Sequence, residues 1–171
     1  MEEILKRVSI REYLDKKVEK EKVEKLLLAG MSAPSAKNQK AWEFLVCDDK
    51  EKLTEISNRC KNHYMAKDAP LVIMVLANKT KAITPLYLDQ DLAAATENIL
   101  LEATHLGLGT VWLGVAPNEE RMNNFKEIFH LSEEYYVLSA IVVGYPKNKV
   151  IKERKYDEII VHHNFIGNKY E

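Results

Sequence analysis

Between Leu88 and Leu106, apolar residues recur every three or four positions: Leu88, Leu92, Ala95, Ile99, Ala103 and Leu106. That spacing lines them along one face of an α-helix. About 20 residues of helix run roughly 30 Å, the width of a small domain, so the rest of the chain has to be arranged around this rod. Gly107 marks its end. With 171 residues the chain has room for one domain, 1–171. Its 46% hydrophobic residues suffice for a core that needs no disulfide or metal.

Around that helix the pattern predicts further elements. A helix spans about Glu19 to Ala29, with Val23, Leu26 and Leu27 inward and Gly30 as a left-handed C-cap. Trp42 to Cys47 reads as a strand. Asp48 or Asp49 then caps a short helix whose apolar positions are Leu53, Ile56 and Cys60. Pro70 opens a strand from Leu71 to Ala77, and another strand runs from Thr110 to Leu113. A helix starting near Asn118 turns Met122, Phe125, Ile128 and Phe129 inward, and a long strand from Tyr136 to Val143 closes at Gly144-Tyr145-Pro146. Lys147 to Arg154 is basic and aperiodic. Beyond it, Ile159-Ile160-Val161 is a strand-like patch that could pair with a sheet, including the sheet of a second chain. Element order alone predicts an α/β protein of parallel crossovers.

Several chemistries have no foothold. A net charge of −1 gives no general attraction for nucleic acid or an anionic membrane. The longest apolar run, Leu71 to Ala77, is far too short to cross a bilayer. Met1-Glu2-Glu3 leads into no apolar export signal, and Cys47 and Cys60 form no CxxC or zinc spacing; a reduced, cytoplasmic protein is expected. Gly107 and Gly109 begin a GxGxxG pattern, but Trp112 occupies its third glycine and the pair follows a helix where a strand is needed. The histidines form no HExxH pair, and adjacent His162 and His163 would face opposite ways on a strand, so no metal site is expected. There is no GxSxG elbow.

What remains is a pair of short segments. Arg7, Ser9 and Arg11 alternate, so an extended backbone turns all three to one side. Two guanidinium groups and a hydroxyl suit a phosphate, although on spacing alone the plainer reading is a surface with unrelated charges. Ala33 to Asn38 is a run of small and polar residues that would let a flat ligand approach the backbone, with Asn38 able to donate and accept at a ring edge. It reads equally as an ordinary helix-to-strand connection.

Taken in order, these pieces resemble a known family. Arg7-Val8-Ser9-Ile10-Arg11-Glu12-Tyr13 and Ala33-Pro34-Ser35-Ala36-Lys37-Asn38 with Trp42-Glu43-Phe44 resemble the two opening signatures of the FMN-dependent nitroreductases. Asp68-Ala69-Pro70, Asn98 to Ala103, Gly107-Leu108-Gly109 with Trp112-Leu113-Gly114, Gly144-Tyr145-Pro146 and the tail Arg154 to His162 follow in matching order and spacing.

The resemblance implies an α+β fold, a mostly antiparallel sheet flanked by helices, with C-terminal tails exchanged across a homodimer; this replaces the α/β expectation. It implies FMN as cofactor and NADH or NADPH as donor, with one site serving donor and acceptor in turn. Nitro compounds, quinones or related small molecules would be the acceptors. Arg7, Val8 and Ser9 would hold the phosphate and ribityl chain, completed by Arg154 or Lys155. Arg11 would sit by the pyrimidine edge and stabilise the reduced flavin. Pro34, Ser35, Ala36 and Asn38 would reach the flavin from the other subunit, and the backbone at Leu113 and Gly114 would approach N5, through which the hydride passes. No side chain is required as a proton-transferring catalyst. Many relatives have Gln-Pro where this chain has Lys40-Ala41, which predicts a less rigid loop carrying a cation. The segment Arg59 to Tyr64 offers Lys61 and Asn62 as further polar contacts, and a lid is expected around Tyr64, Ile83 to Leu88 and Lys147 to Lys155. The same features fit a flavin carrier or sensor with little turnover. A nucleotide-binding α/β protein unrelated to flavin rests on element order alone.

Overall fold

The computed structural model describes residues 2–170. Its rod is α4, Leu88–His105, on which Leu88, Leu92, Ala95, Ile99 and Ala103 are all buried. Gly107 ends it at φ +72°, with the Gly107 N–H on Thr104 O and the Leu108 N–H on Ala103 O, the paired bonds of a Schellman turn. Helix α2, Lys20–Met31, packs along it. Gly30 is not the C-cap expected: α2 continues past it, and Gly30 marks the crossing with α4. A Cβ there would stand 3.0 Å from Ile99 Cδ1 and from the Phe44 ring, so the missing side chain serves close approach. A short α1, Glu2–Lys6, also lies against α4.

Four strands, β1 (Trp42–Cys47), β2 (Leu71–Asn78), β3 (Gly109–Gly114) and β4 (Tyr135–Gly144), form one sheet in the order β1-β2-β4-β3. Every pairing in it is antiparallel, which overturns the parallel crossovers read from element order and agrees with the α+β expectation. The register shows why. Cys47 pairs with Val72, so the excursion through α3 (Lys50–Arg59) returns to the end of the sheet it left. The excursion through α5 (Glu119–Phe129) likewise joins adjacent ends of β3 and β4. The α4 crossover does join strands running the same way, β2 and β3, but β4 is inserted between them.

Strand β2 is buried at every position from Leu71 to Ala77, as a central strand covered on both faces must be. Val72, Met74 and Leu76 face α3 and α5, where Leu53, Ile56, Phe125 and Ile128 are packed. Leu71, Ile73, Val75 and Ala77 face α2 and α4. The caps are those the sequence offers: Asp49 accepts from Glu51 N and Lys52 N, and Asn118 accepts from Arg121 N. The Ile159-Ile160-Val161 patch is not a strand. Glu158–Ile160 is a single 3₁₀ turn capped by Asp157, with Ile159 and Ile160 exposed and unpaired with any strand among the described residues.

Candidate functional site

The segment after α1 alternates as its sequence suggests. Val8 packs toward the core and Ile10 is buried, while Ser9 and Arg11 are exposed and Arg7 is half-buried. Ser9 forms a parallel bridge with Thr110 on β3, and the Ile10 N–H donates to Thr110 O at 2.8 Å. Tyr13 then bridges Pro146, its hydroxyl donating to Ile10 O at 2.6 Å. The tail runs back along this segment. Lys147 N donates to Glu12 O, Asn148 Nδ2 to Glu12 Oε2, and Arg154 Nη2 to Arg7 O at 3.0 Å. A tail residue 147 positions away is thereby fastened to the backbone of Arg7, on one side of Ser9's segment. Between segment and tail lies a groove of about 540 Å³, whose lining includes Lys6, Val8, Ile10, Lys149, Lys152 and Arg154. Lys155 is exposed one residue further on.

The Ala33–Lys40 loop is the opposite of slack. Asp91, 6% exposed on the first turn of α4, accepts from the Ala36 N–H at 2.8 Å through one oxygen and from Gln39 Nε2 at 2.6 Å through the other. Gln39 Oε1 in turn accepts from the Thr84 N–H at 2.8 Å, and Ser35 Oγ accepts from the Lys40 N–H at 3.1 Å. Lys37, Asn38 and Lys40 all have left-handed backbones, φ 50°, 54° and 46°. Such conformations cost of order 1 kcal/mol each outside glycine and persist where surroundings enforce them. The less rigid loop expected from Lys40-Ala41 is thus corrected: the buried carboxylate supplies the stiffness. Pro34 and Asn38 remain exposed, and Ser35 and Ala36 half-buried.

Leu113 and Gly114 end β3, the sheet's edge strand. Gly114 faces Ser139 across β4, and the next residue, Val115, donates its N–H to Leu138 O at 3.0 Å. In an antiparallel ladder that bond makes Gly114–Ser139 a non-hydrogen-bonded pair, so the Gly114 N–H and C=O both point away from β4. Arg121 Nη1 donates to that carbonyl at 2.9 Å. Nothing would lie within 4 Å of a Cβ at Gly114, so the strand end is open on that side.

The chain matches the family model described as "Putative TM nitroreductase" over residues 1–167. The chain belongs to the nitroreductase family. It is 43% identical over 154 residues to a protein of Archaeoglobus fulgidus named "Putative NADH dehydrogenase/NAD(P)H nitroreductase", covering 87% of this chain and 88% of that one. Among solved structures, an FMN-dependent nitroreductase from Clostridium difficile superposes with a TM-score of 0.89 at 36% identity, covering 96% of this chain and 99% of that one. A Desulfovibrio desulfuricans structure described as a putative nitroreductase in complex with FMN gives 0.82 at 28% identity, covering 96% of each chain.

In this nitroreductase-family chain the two halves of the expected site stay apart. Arg7 Nε is 3.7 Å from Glu97 Oε1, whereas the loop is fastened to Asp91. Six helical residues separate those anchors by roughly 9 Å along α4 and about 240° around it. Lys61 and Asn62 are exposed and tied to neither half, whereas Tyr64, Ile83, Leu86 and Tyr87 present exposed apolar surface. Asp91, Gln39 and Arg121 were missed by the sequence reading. Asp91 had a visible signal: it sits on the apolar stripe between Leu88 and Ala95, where an unpartnered charge would be costly. Gln39 and Arg121 had none, because their partners are a distant carboxylate and a backbone carbonyl.

Proposed function

We propose that this protein is an FMN-dependent NAD(P)H oxidoreductase that reduces nitro compounds, quinones or related acceptors as a homodimer, with a flavin site at each interface. The observation that carries it is the tail laid back along the Arg7–Arg11 segment, with Arg154 Nη2 on Arg7 O, next to an edge strand whose last glycine turns its backbone away from the sheet and has open space at its Cβ position. A cationic cradle with a hydroxyl suits a phosphate, and an open strand edge suits the polar rim of a flat ring. These residues fit FMN.

Held there, FMN would supply the hydride chemistry between NADH or NADPH and the acceptor, one site serving both in turn. The protein's own part is to bind, orient and bias. Arg7, Val8, Ser9, Arg154 and Lys155 hold the phosphate and ribityl chain. Arg11, exposed at the mouth of the segment, supplies positive charge at the pyrimidine edge, which favours reduction. Leu113 and Gly114 present backbone to the ring, and the absent side chain at Gly114 leaves hydride approach unobstructed. Pro34, Ser35, Ala36 and Asn38 complete the site of the partner subunit. Their left-handed loop is pre-shaped for contact, yet in its own chain it is anchored at Asp91 and the Arg7 set at Glu97, six residues apart on α4.

Dimerisation is supported by apolar surface that a lone chain leaves in water. Ile4 and Leu5 of α1 and Leu28 and Met31 of α2 are exposed around α4, as are Tyr156, Ile159, Ile160, Phe165 and Ile166 of the tail. Exposed apolar side chains in such number mark interaction surfaces. We take the tails to be exchanged between subunits, the whole chain to be one FMN-binding domain, and the compartment to be cytoplasmic. Among the described residues no helix is long and apolar enough to cross a membrane. The visible spectrum of the purified protein, followed by stopped-flow mixing with NADH and NADPH, tests the reading. Flavin absorbance that bleaches on a catalytic timescale is expected. Protein that stays colourless after incubation with FMN overturns the reading, and bound flavin that does not bleach reduces it to a carrier.

A further inference from the structure

Arg121 has no part in the phosphate cradle or the Ala33–Lys40 loop, yet its side chain bonds the end of β3. It stands on the first turn of α5, half-buried, with Nη1 2.9 Å from Gly114 O. Among the described residues no carboxylate lies within 4 Å of it to neutralise its charge, although Glu119 and Glu120 precede it. Arginine–carbonyl contacts on a surface are commonplace. This one is distinguished by which carbonyl it takes.

The ladder phase fixes the significance. Along β3, residues whose backbone faces away from β4 alternate, and both outward residues with an assigned partner agree: Thr110 O is taken by the Ile10 N–H and Gly114 O by Arg121. In a strand the N–H and C=O of one residue point to the same side. Arg121 therefore binds on the outward side that the Gly114 N–H shares, bracing the residue through its carbonyl, and it leaves a fixed cation next to that donor. The Cβ position of Gly114 is open, and the turn after it is fastened by Val115 and Ala116, both donating to Leu138 O.

We propose that Arg121 is a positioning residue for the flavin: it holds the Gly114 backbone N–H toward the polar edge of the ring and sets a positive charge beside it, which makes the bound flavin easier to reduce. This rests on the FMN reading above. It adds a second source of positive charge, remote in sequence from Arg11 and set at the end of β3 instead of in the phosphate cradle. A guanidinium suits both duties, because it never deprotonates at working pH and its planar fork fixes the carbonyl in direction as well as distance.

The test replaces Arg121 in the full chain and reads the flavin, not only turnover. Arg121→Met keeps length and removes both charge and donors, and Arg121→Lys keeps the charge. The expected result is a lower midpoint potential for FMN bound to R121M, an altered visible band shape, and roughly tenfold weaker FMN binding, as for loss of one charge-assisted contact. R121K should recover most of the potential and little of the band shape. The FMN-free melting temperature reports any purely structural cost. If R121M binds FMN with wild-type potential and spectrum, the inference is overturned. If R121M does not fold, Arg121→Gln, neutral but still able to donate, decides it in the same way: a wild-type potential overturns the inference and a lowered one supports it. Should the wild-type protein itself fail to bind FMN, the functional reading has failed before Arg121 is reached, so the two failures are distinct.

Discussion

The Ala33–Lys40 loop and the tail beyond Pro146 are both irregular and both assigned to the flavin, yet they are held in opposite ways. The loop spends its polar groups inside its own chain: Ala36 and Gln39 on Asp91, Thr84 on Gln39, Lys40 on Ser35. The tail is fastened as far as Arg154 and then exposes nearly every residue, Phe165 at 75% and Ile166 at 89% among them. A loop that is finished before any partner arrives can act as a template. A tail that buries its apolar side chains nowhere in its own chain needs something to be buried against. The comparison predicts that one half of each site is stiff and self-sufficient, while the other forms on assembly.

The strongest way to break it is to remove the tail. Ending the chain after Lys155 deletes Tyr156, Ile159, Ile160, Phe165 and Ile166, side chains worth about 1.5–3 kcal/mol each if fully buried. Even after the large cost of association, that is enough to set the oligomeric state. Light scattering should show a shift to monomer, with FMN affinity down by more than about a hundredfold. A truncated chain that stays dimeric and yellow would mean the tail is ornamental.

Acid attacks the body that holds the loop. His63 is 2% exposed beneath Phe125, its Nδ1 has no hydrogen-bond partner, and burial, with Arg121 nearby, pushes its pKa down from 6.5 to about 4. The folded state keeps the ring neutral while the unfolded chain protonates it below about 6.5. Stability is therefore complete above that pH and is lost as pH falls toward 4, by up to about 3 kcal/mol. Urea melts at pH 7 and pH 4.5 should show the loss, and His63→Leu should flatten it. An unchanged slope in that variant would exonerate His63.

Asp91→Asn tests the stiffness of the loop directly. The new amide sets a donor against either the Ala36 N–H or Gln39 Nε2. Flipping Gln39 only moves the clash to the Thr84 N–H. The cost should be about 1–3 kcal/mol, or roughly 2–4 °C of melting temperature per kcal/mol in a chain of this size. FMN affinity should fall with it. A destabilised variant with wild-type affinity would show that the loop's shape does not matter to the ligand. On the tail side, Arg154→Ala removes one cation and its bond to Arg7 O. It should weaken FMN about tenfold in a titration, with a steeper salt dependence in the wild type than in the variant.

Legibility in the sequence follows the same division. Periodicity located α4, β2 and α5 nearly to the residue because burial imposes a period, and Asp49 and Asn118 were readable as caps because capping is local. Strand direction was not readable: it depends on where an excursion re-enters the sheet, which the return of Val72 to Cys47 decides and local pattern does not encode. Gly30 misled because a glycine late in a helix is read as a stop, whereas here it is a contact with Ile99 and Phe44. The site residues came from motif order. Those that hold them in place act through partners 7 to 55 positions away: Asp91 shows only as a charge on an apolar stripe, and Gln39 and Arg121 carry no local signature.

The smallest effect is the sharpest test of the loop as a template. Lys40 sits at φ 46°, with its N–H bonded to Ser35 Oγ. Lys40→Gly keeps that bond and removes the Cβ clash of the left-handed backbone, about 1 kcal/mol, at the cost of a more flexible unfolded chain. The net gain should be a few tenths to about 1 kcal/mol of stability, measured as a rise in melting temperature of the FMN-free protein. If the loop is rigid through Asp91 and the lysine side chain is only solvated, FMN affinity and acceptor kinetics stay as they were. A loss of affinity without a loss of stability would instead assign the Lys40 ammonium to the flavin. A loss of stability would mean that Asp91 does not enforce the loop geometry, and the contrast with the tail would narrow accordingly.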